Sequence, residues 1–180
     1  EKTEPQEESK KELPKGISLL MEEENNTEVF ENGTADFKGK GEENAPYLIK
    51  NAADLKKLAE NVNSGVTYKD KHFQLTADID LNNEPWTPIG TMQGEEGRPF
   101  QGTFDGAGYQ IANLKISNGG QYVGLFGYTK GADANAVAVI QNCNVTGEIN
   151  GYNHTGGIVG DAGINTKILN CSFQGNVEGN

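Results

Sequence analysis

The chain of 180 residues carries 15 Lys plus Arg against 26 Asp plus Glu, and only 34% of it is hydrophobic. That is one domain's worth of chain with little core material, and a net charge of -11 excludes a basic nucleic-acid footprint and disfavours anionic membrane surfaces. No apolar run approaches the roughly 18 residues that span a bilayer, and two cysteines without CxxC or Cys/His spacing make neither a disulfide framework nor a zinc site.

Residues 1–44 hold 13 acids and 6 bases, against 13 and 9 in the remainder, so the acidity concentrates at the N-terminal end. With one apolar cluster at Ile17, Leu19, Leu20 and Met21, this stretch buries too little to offset its ordering entropy and reads as a flexible acidic tether. It opens on Glu1 without an apolar signal region, as a processed or excised segment would.

The composition changes at Pro46. Tyr47, Leu48 and Ile49 form a short strand-like run, and Asn51 then caps a helix predicted over 52–63. Leu55, Leu58, Ala59 and Val62 fall at i, i+3, i+4 and i+7, one apolar stripe ended by Gly65. Next, Phe73, Leu75, Ala77, Ile79 and Leu81 alternate with polar residues, the pattern of a half-buried strand. Beyond Asn82 there is no helical period, only short strands punctuated by Gly, Asn and Asp.

The main signal is a repeat. "IANLKISN" (111–118), "IQNCNVTG" (140–147) and "ILNCSFQG" (168–175) align at offsets of 29 and 28 residues. "VGLFG" (123–127) and "GGIVG" (156–160) recur between them at 33. Units this small cannot enclose a core alone; stacked, they share one, which predicts an all-β parallel β-helix, or β-solenoid. At about 4.8 Å per coil, equivalent side chains sit above one another. Asn113, Asn142 and Asn170 are then expected to form an amide ladder, with Leu114, Cys143 and Cys171 stacked inside.

Together, "APYLIKNAADLKKLAENVNSG", "FQLTADIDL", "PWTPIGT", "FQGTFDGAGYQIANLKI" and "YVGLFGY" resemble the GLUG-motif repeat domains of bacterial surface and adhesin-like proteins, found also in non-catalytic N-terminal regions of IgA-specific metallopeptidases. The resemblance covers about 39–180. It implies a right-handed parallel β-helix whose leading helix caps one end, export to the bacterial surface or secretion, and adhesion or ligand display. It carries over no catalytic residue. A domain over 45–180 that stops after a strand at "NVEGN" is expected to be truncated, with further domains of the same chain following.

Asp78 and Asp80, about 7 Å apart on one strand face, match a spacing used by paired carboxylates in glycoside hydrolysis, yet any strand with acids at i and i+2 does the same. Solvation or turn bonding is the simpler reading, as an Asx turn is for Asp105 in "TFDGAGY". His72 and His154 lack metal-ligand neighbours in sequence, and no cofactor or metal is implied. "GKGEENAP" lacks the Lys-Ser/Thr of a phosphate loop. Cys143 and Cys171, one coil apart, are expected to be reduced buried thiols, because parallel Cβ vectors disfavour the disulfide torsion. Trp86, between Pro85 and Pro88, is either an exposed sugar platform or a wedge against the cap helix. The sequons at Asn25, Asn32, Asn144, Asn153 and Asn170 read as by-products of Asn-rich turns.

The function expected is a non-enzymatic surface module that meets a host or neighbouring-cell protein or glycan through its longest irregular stretches, 93–99 and 130–136. Trp86, Gln93, Glu95, Glu96, Arg98, Lys130 and Asp133 are the candidate contacts. The alternative is a polysaccharide-processing β-helix, a lyase or glycosidase, in which Asp78, Asp80 and Arg98 would converge; Arg98 is the only Arg in the chain.

Overall fold

The computed structural model describes residues 36–179. In chain order these form β1 (Tyr47–Ile49), α1 (Ala52–Ser64), β2 (His72–Leu75), β3 (Ile79–Asp80), β4 (Thr103–Asp105), β5 (Gln110–Gly120), β6 (Phe126–Thr129), β7 (Ala138–Gln141), β8 (Asn144–Gly151), β9 (Val159–Ala162), β10 (Thr166–Leu169) and β11 (Ser172–Glu178). The helix is set by its ends. Asn51 accepts a hydrogen bond from the Asp54 N–H at 3.0 Å, and Gly65, at φ 112°, lets its own N–H and that of Val66 close on Val62 and Asn61. The predicted stripe of Leu55, Leu58, Ala59 and Val62 is the buried face.

The strands make three sheets, ordered β1-β2-β4-β7-β10, β3-β5-β8-β11 and β6-β9. Every pairing between these strands is parallel, and successive coils add one strand to each sheet: a β-solenoid of about three turns with one short helix. A chain wound this way needs a core only a few side chains wide. Phe73, Phe104, Ile140 and Ile168 stack in one column, Ile79, Ile111, Val145 and Phe173 in a second, and Ile89, Phe126 and Val159 in a third. Phe100 joins the columns, its ring 6.0 Å from Phe73 and 5.3 Å from Phe126.

The repeat register needs correction in its first unit. The second and third units match as read, with Ile140 beside Ile168, Val145 beside Phe173 and Gly147 beside Gly175. In the first unit Phe104, not Ile111, stands opposite Ile140, and Ile111 pairs with Val145. The corner between β4 and β5 is longer than that between β7 and β8, and β5 then bulges between Ile111 and Leu114. Leu114 therefore lies over Gly147 rather than Cys143. Asn113, at φ 60°, occupies the bulge and donates to Asp80 at 2.8 Å, so it is not in the ladder. Asn170 does donate to Asn142 at 3.4 Å, and Asn142 to Asp105 at 2.9 Å. The ladder is anchored on a carboxylate.

The N-terminal boundary also moves. The tether reading of 1–35, including its apolar cluster, lies outside the described residues. From Asp36 onward the chain is built into the fold: Lys38 bridges Leu48, and Phe37 is buried among Tyr47, Tyr68 and Phe73, with ring centroids 5.4–6.5 Å away. A tether ending at residue 44 is thus too long.

Candidate functional site

The segments that return each coil from the third sheet to the first gather on one flank. The Lys130 N–H bonds the Phe100 carbonyl, Gly131 the Ile164 carbonyl, and Gly163 the Thr129 carbonyl. The first excursion is a hairpin in which Thr91 and Arg98 exchange both backbone bonds, Gly94 and Gly97 taking the positive φ its tip requires. Both stretches singled out in the sequence, 93–99 and 130–136, belong to this flank. Gln93, Glu95 and Glu96 are exposed at the hairpin tip, and Lys130 is half-buried.

Three of the candidate contacts are already engaged. The Arg98 guanidinium bonds the Asn63 carbonyl near the C-terminus of α1, where a cation complements the helix dipole. Asp133 accepts from the Asn135 and Ala136 N–H groups and faces Lys69 at 3.3 Å, contacts that hold its carboxyl below the usual range. Trp86 corrects the sugar-platform reading. Its side chain is buried and its Nε1–H donates to the Leu125 carbonyl at 3.1 Å, the wedge geometry.

The carboxylates considered for catalysis are taken up by corners. Asp78 accepts from the Gln110 N–H at 2.8 Å; Asp80 accepts from Asn113 and from the Asn82 N–H, which lower its pKa in that order. Asp105 is pushed up by burial but more strongly held down by Asn142, the Ala107 N–H and Gln141 together. Arg98, on the hairpin, is bonded to α1 and so serves a different element from these acids. Cys143 and Cys171 are free thiols. Contact with Cys171, then burial, pushes the Cys143 thiol up, while contact with Cys143 holds Cys171 well below a free thiol.

Two features escaped the sequence reading. "PIGT" (88–91) is a further copy of the "LFGY" and "IVGD" element, since Ile89 bridges Phe126 as Phe126 pairs Val159. The shared Ile/Phe/Val-Gly step was the available signal. Tyr122 and His154, both at positive φ one coil apart, stack at 4.4 Å with rings 14° from parallel, and His154 Nδ1 lies 3.2 Å from Asp161. Among the described residues no cluster of three His, Cys, Asp or Glu could hold a metal ion, and no helix is long and apolar enough to cross a membrane.

No family model matches the chain. It is similar to halomucin of Haloquadratum walsbyi, 32% identical over 157 residues, which covers 82% of this chain and 2% of that protein. A protein of Evansella cellulosilytica, provisionally named a Gly-rich membrane protein, is 32% identical over 117 residues, 61% of this chain and 12% of that one. The chain thus spans a small part of these relatives. The fold matches a crystal structure of a protein from Bacteroides ovatus, provisionally named an immunoglobulin A1 protease, with TM-score 0.53 and 23% identity over 77% of this chain and 50% of that one.

Proposed function

We propose that this chain is a non-enzymatic module of a bacterial surface or secreted protein, of the GLUG-repeat type, that binds a protein or glycan partner through the loop flank of a rigid solenoid. The observation that carries this reading is the gathering of the irregular excursions on one flank, with Gln93, Glu95 and Glu96 left exposed at the hairpin tip. Loops held by a rigid scaffold are where binding residues concentrate. The name of the Evansella relative, a Gly-rich membrane protein, supports a place at the cell surface. The engagement of Asp78, Asp80 and Arg98 in separate structural bonds supports the absence of catalysis.

The test is binding of the purified chain to host-cell and bacterial-cell surfaces and to a glycan array, beside a variant with Gln93, Glu95 and Glu96 changed to Ala. Saturable binding that the variant loses is expected. Reducing ends or unsaturated products released from a polysaccharide panel would overturn the non-enzymatic reading.

A further inference from the structure

The cap helix and the segment that follows β3 form the walls of an open cleft of about 410 Å³, which meets the loop flank only at Asn63, the residue that Arg98 bonds. Its floor is apolar: Ala59 and Trp86 are buried there and Pro85 flanks them. Its rim is polar, with Lys56 and Glu60 on the helix and Thr87 opposite. The volume falls within the range of small-ligand sites, about 300–1,000 Å³.

The two walls are fixed relative to each other. Asn63, on the last turn of α1, donates to the Pro88 carbonyl at 2.9 Å and accepts from the Gly90 N–H at 3.0 Å. Lys56 also pairs with Glu84, tying the helix to the residue before Pro85. The indole is locked by its bond to Leu125. A cleft held open this way loses little freedom when it is filled.

The rim's charges cancel locally. Lys56 faces Glu84, and Lys57 lies 3.6 Å from Glu60, in a protein whose net charge is -11. An anion meets the repulsion of the whole molecule, and a cation finds no unbalanced carboxylate. The complement is an uncharged ring with one apolar face for the exposed Pro85, which the buried Trp86 backs, and hydroxyls at its edge. Lys56 can donate to those hydroxyls, Glu60 can accept from them, and Thr87 can do both.

We infer that this cleft is a binding site for a neutral pyranose, either a free sugar or the terminal unit of an uncharged oligosaccharide. Trp86 serves it as a buried floor, while its N–H remains spent on the fold.

The experiment follows the ¹H–¹⁵N spectrum of the whole chain during titration with D-glucose, D-galactose, D-mannose and N-acetyl-D-glucosamine, and with D-glucuronate as the charged comparison. At least one neutral sugar is expected to shift the Trp86 indole N–H and the Thr87 and Glu60 amides saturably. Thr87→Trp, which fills the cleft from an exposed position, abolishes those shifts, and Lys56→Ala and Glu60→Ala weaken them, with unchanged circular dichroism as the control for folding. Silence from every neutral sugar overturns the site. So do shifts that survive Thr87→Trp, or a preference for glucuronate. The variant altered at Gln93, Glu95 and Glu96 keeps the sugar response, which separates failure of this site from failure of the loop flank.

Discussion

Asn142, at the corner of one coil, donates its side-chain amide to the Asp105 carboxylate at the corner of the coil before, at 2.9 Å. Gln141 donates to the other oxygen of the same carboxylate, also at 2.9 Å, and the Ala107 N–H closes the Asx turn at 2.7 Å. Asp105→Ala strips three donors of their acceptor at once, and a loss of about 1–3 kcal/mol is expected in urea unfolding at neutral pH. Burial raises the Asp105 pKa, but the hydrogen bonds win and hold it below the ordinary value. The contribution is therefore fully present above the unfolded carboxyl's pKa, about 3.9, and is lost as pH falls through the lower folded value. The gap between the wild-type and Asp105→Ala midpoints should narrow on acidification below pH 4; a gap that widens would contradict this assignment.

Gly147 and Gly108 separate two ways in which the solenoid uses glycine. A Cβ on Gly147 would lie 2.1 Å from the Leu114 carbonyl oxygen, where β5 and β8 pass in register, so backbone must move. Gly108 has open space around it but a φ of 82°. Gly147→Ala is expected to cost about 1–3 kcal/mol, in the range of overpacking, and Gly108→Ala only the conformational penalty, about 1 kcal/mol. Thermal melts of the two variants should rank in that order.

The helix was legible in full because its signals are local: Asn51 and Gly65 mark the ends, and four apolar residues mark one face. The solenoid was legible because two of its coils repeat with nearly equal corners. The first coil was misregistered because "IANLKI" and "IQNCNV" share a pattern while their corners differ in length and β5 bulges at Asn113. Lone residues were harder still. Phe37 stands in a polar, Gly-rich stretch, and only the aromatic cluster around it shows that it belongs to the core. At the candidate site, the position of the loops was readable and the use of their side chains was not. That Arg98 serves a helix terminus, Asp133 its own loop and Trp86 the core depends on partners between 2 and 64 residues away in sequence.

Cys143 and Cys171 offer a chemical reading of coil stacking. Contact with Cys143 pulls the pKa of the half-buried Cys171 down, while Cys143, fully buried with its thiol donating to the Gln141 carbonyl at 3.2 Å, is pushed up. The thiolate is the nucleophile, so limited alkylation of the folded chain at neutral pH should modify Cys171 at least about tenfold faster than Cys143. Peptide mass spectrometry after quenching reads the ratio. Cys143→Ala should slow the reaction at Cys171 by removing the neighbouring thiol. Equal rates in the folded protein would mean that the two thiols do not influence each other in this way.

Ile140 and Ile168 occupy the same column on neighbouring coils, directly paired between β7 and β10, yet Ile140 is 0% exposed and Ile168 43%. The difference is one of position in the stack. Ile140 has Phe104 on one side and Ile168 on the other, whereas among the described residues Ile168 is flanked in its column only by Ile140. The stabilisation from an aliphatic side chain scales with the apolar area removed from water, and deleting a fully enclosed one also leaves a cavity. Ile140→Ala is therefore expected to cost about 2–5 kcal/mol, and Ile168→Ala under about half of that, since nearly half of its surface is already wet. Chemical denaturation of the two single variants measures both values on one chain. Equal costs would show that the last described coil is as tightly packed in solution as the one beneath it, and that another surface covers Ile168 there.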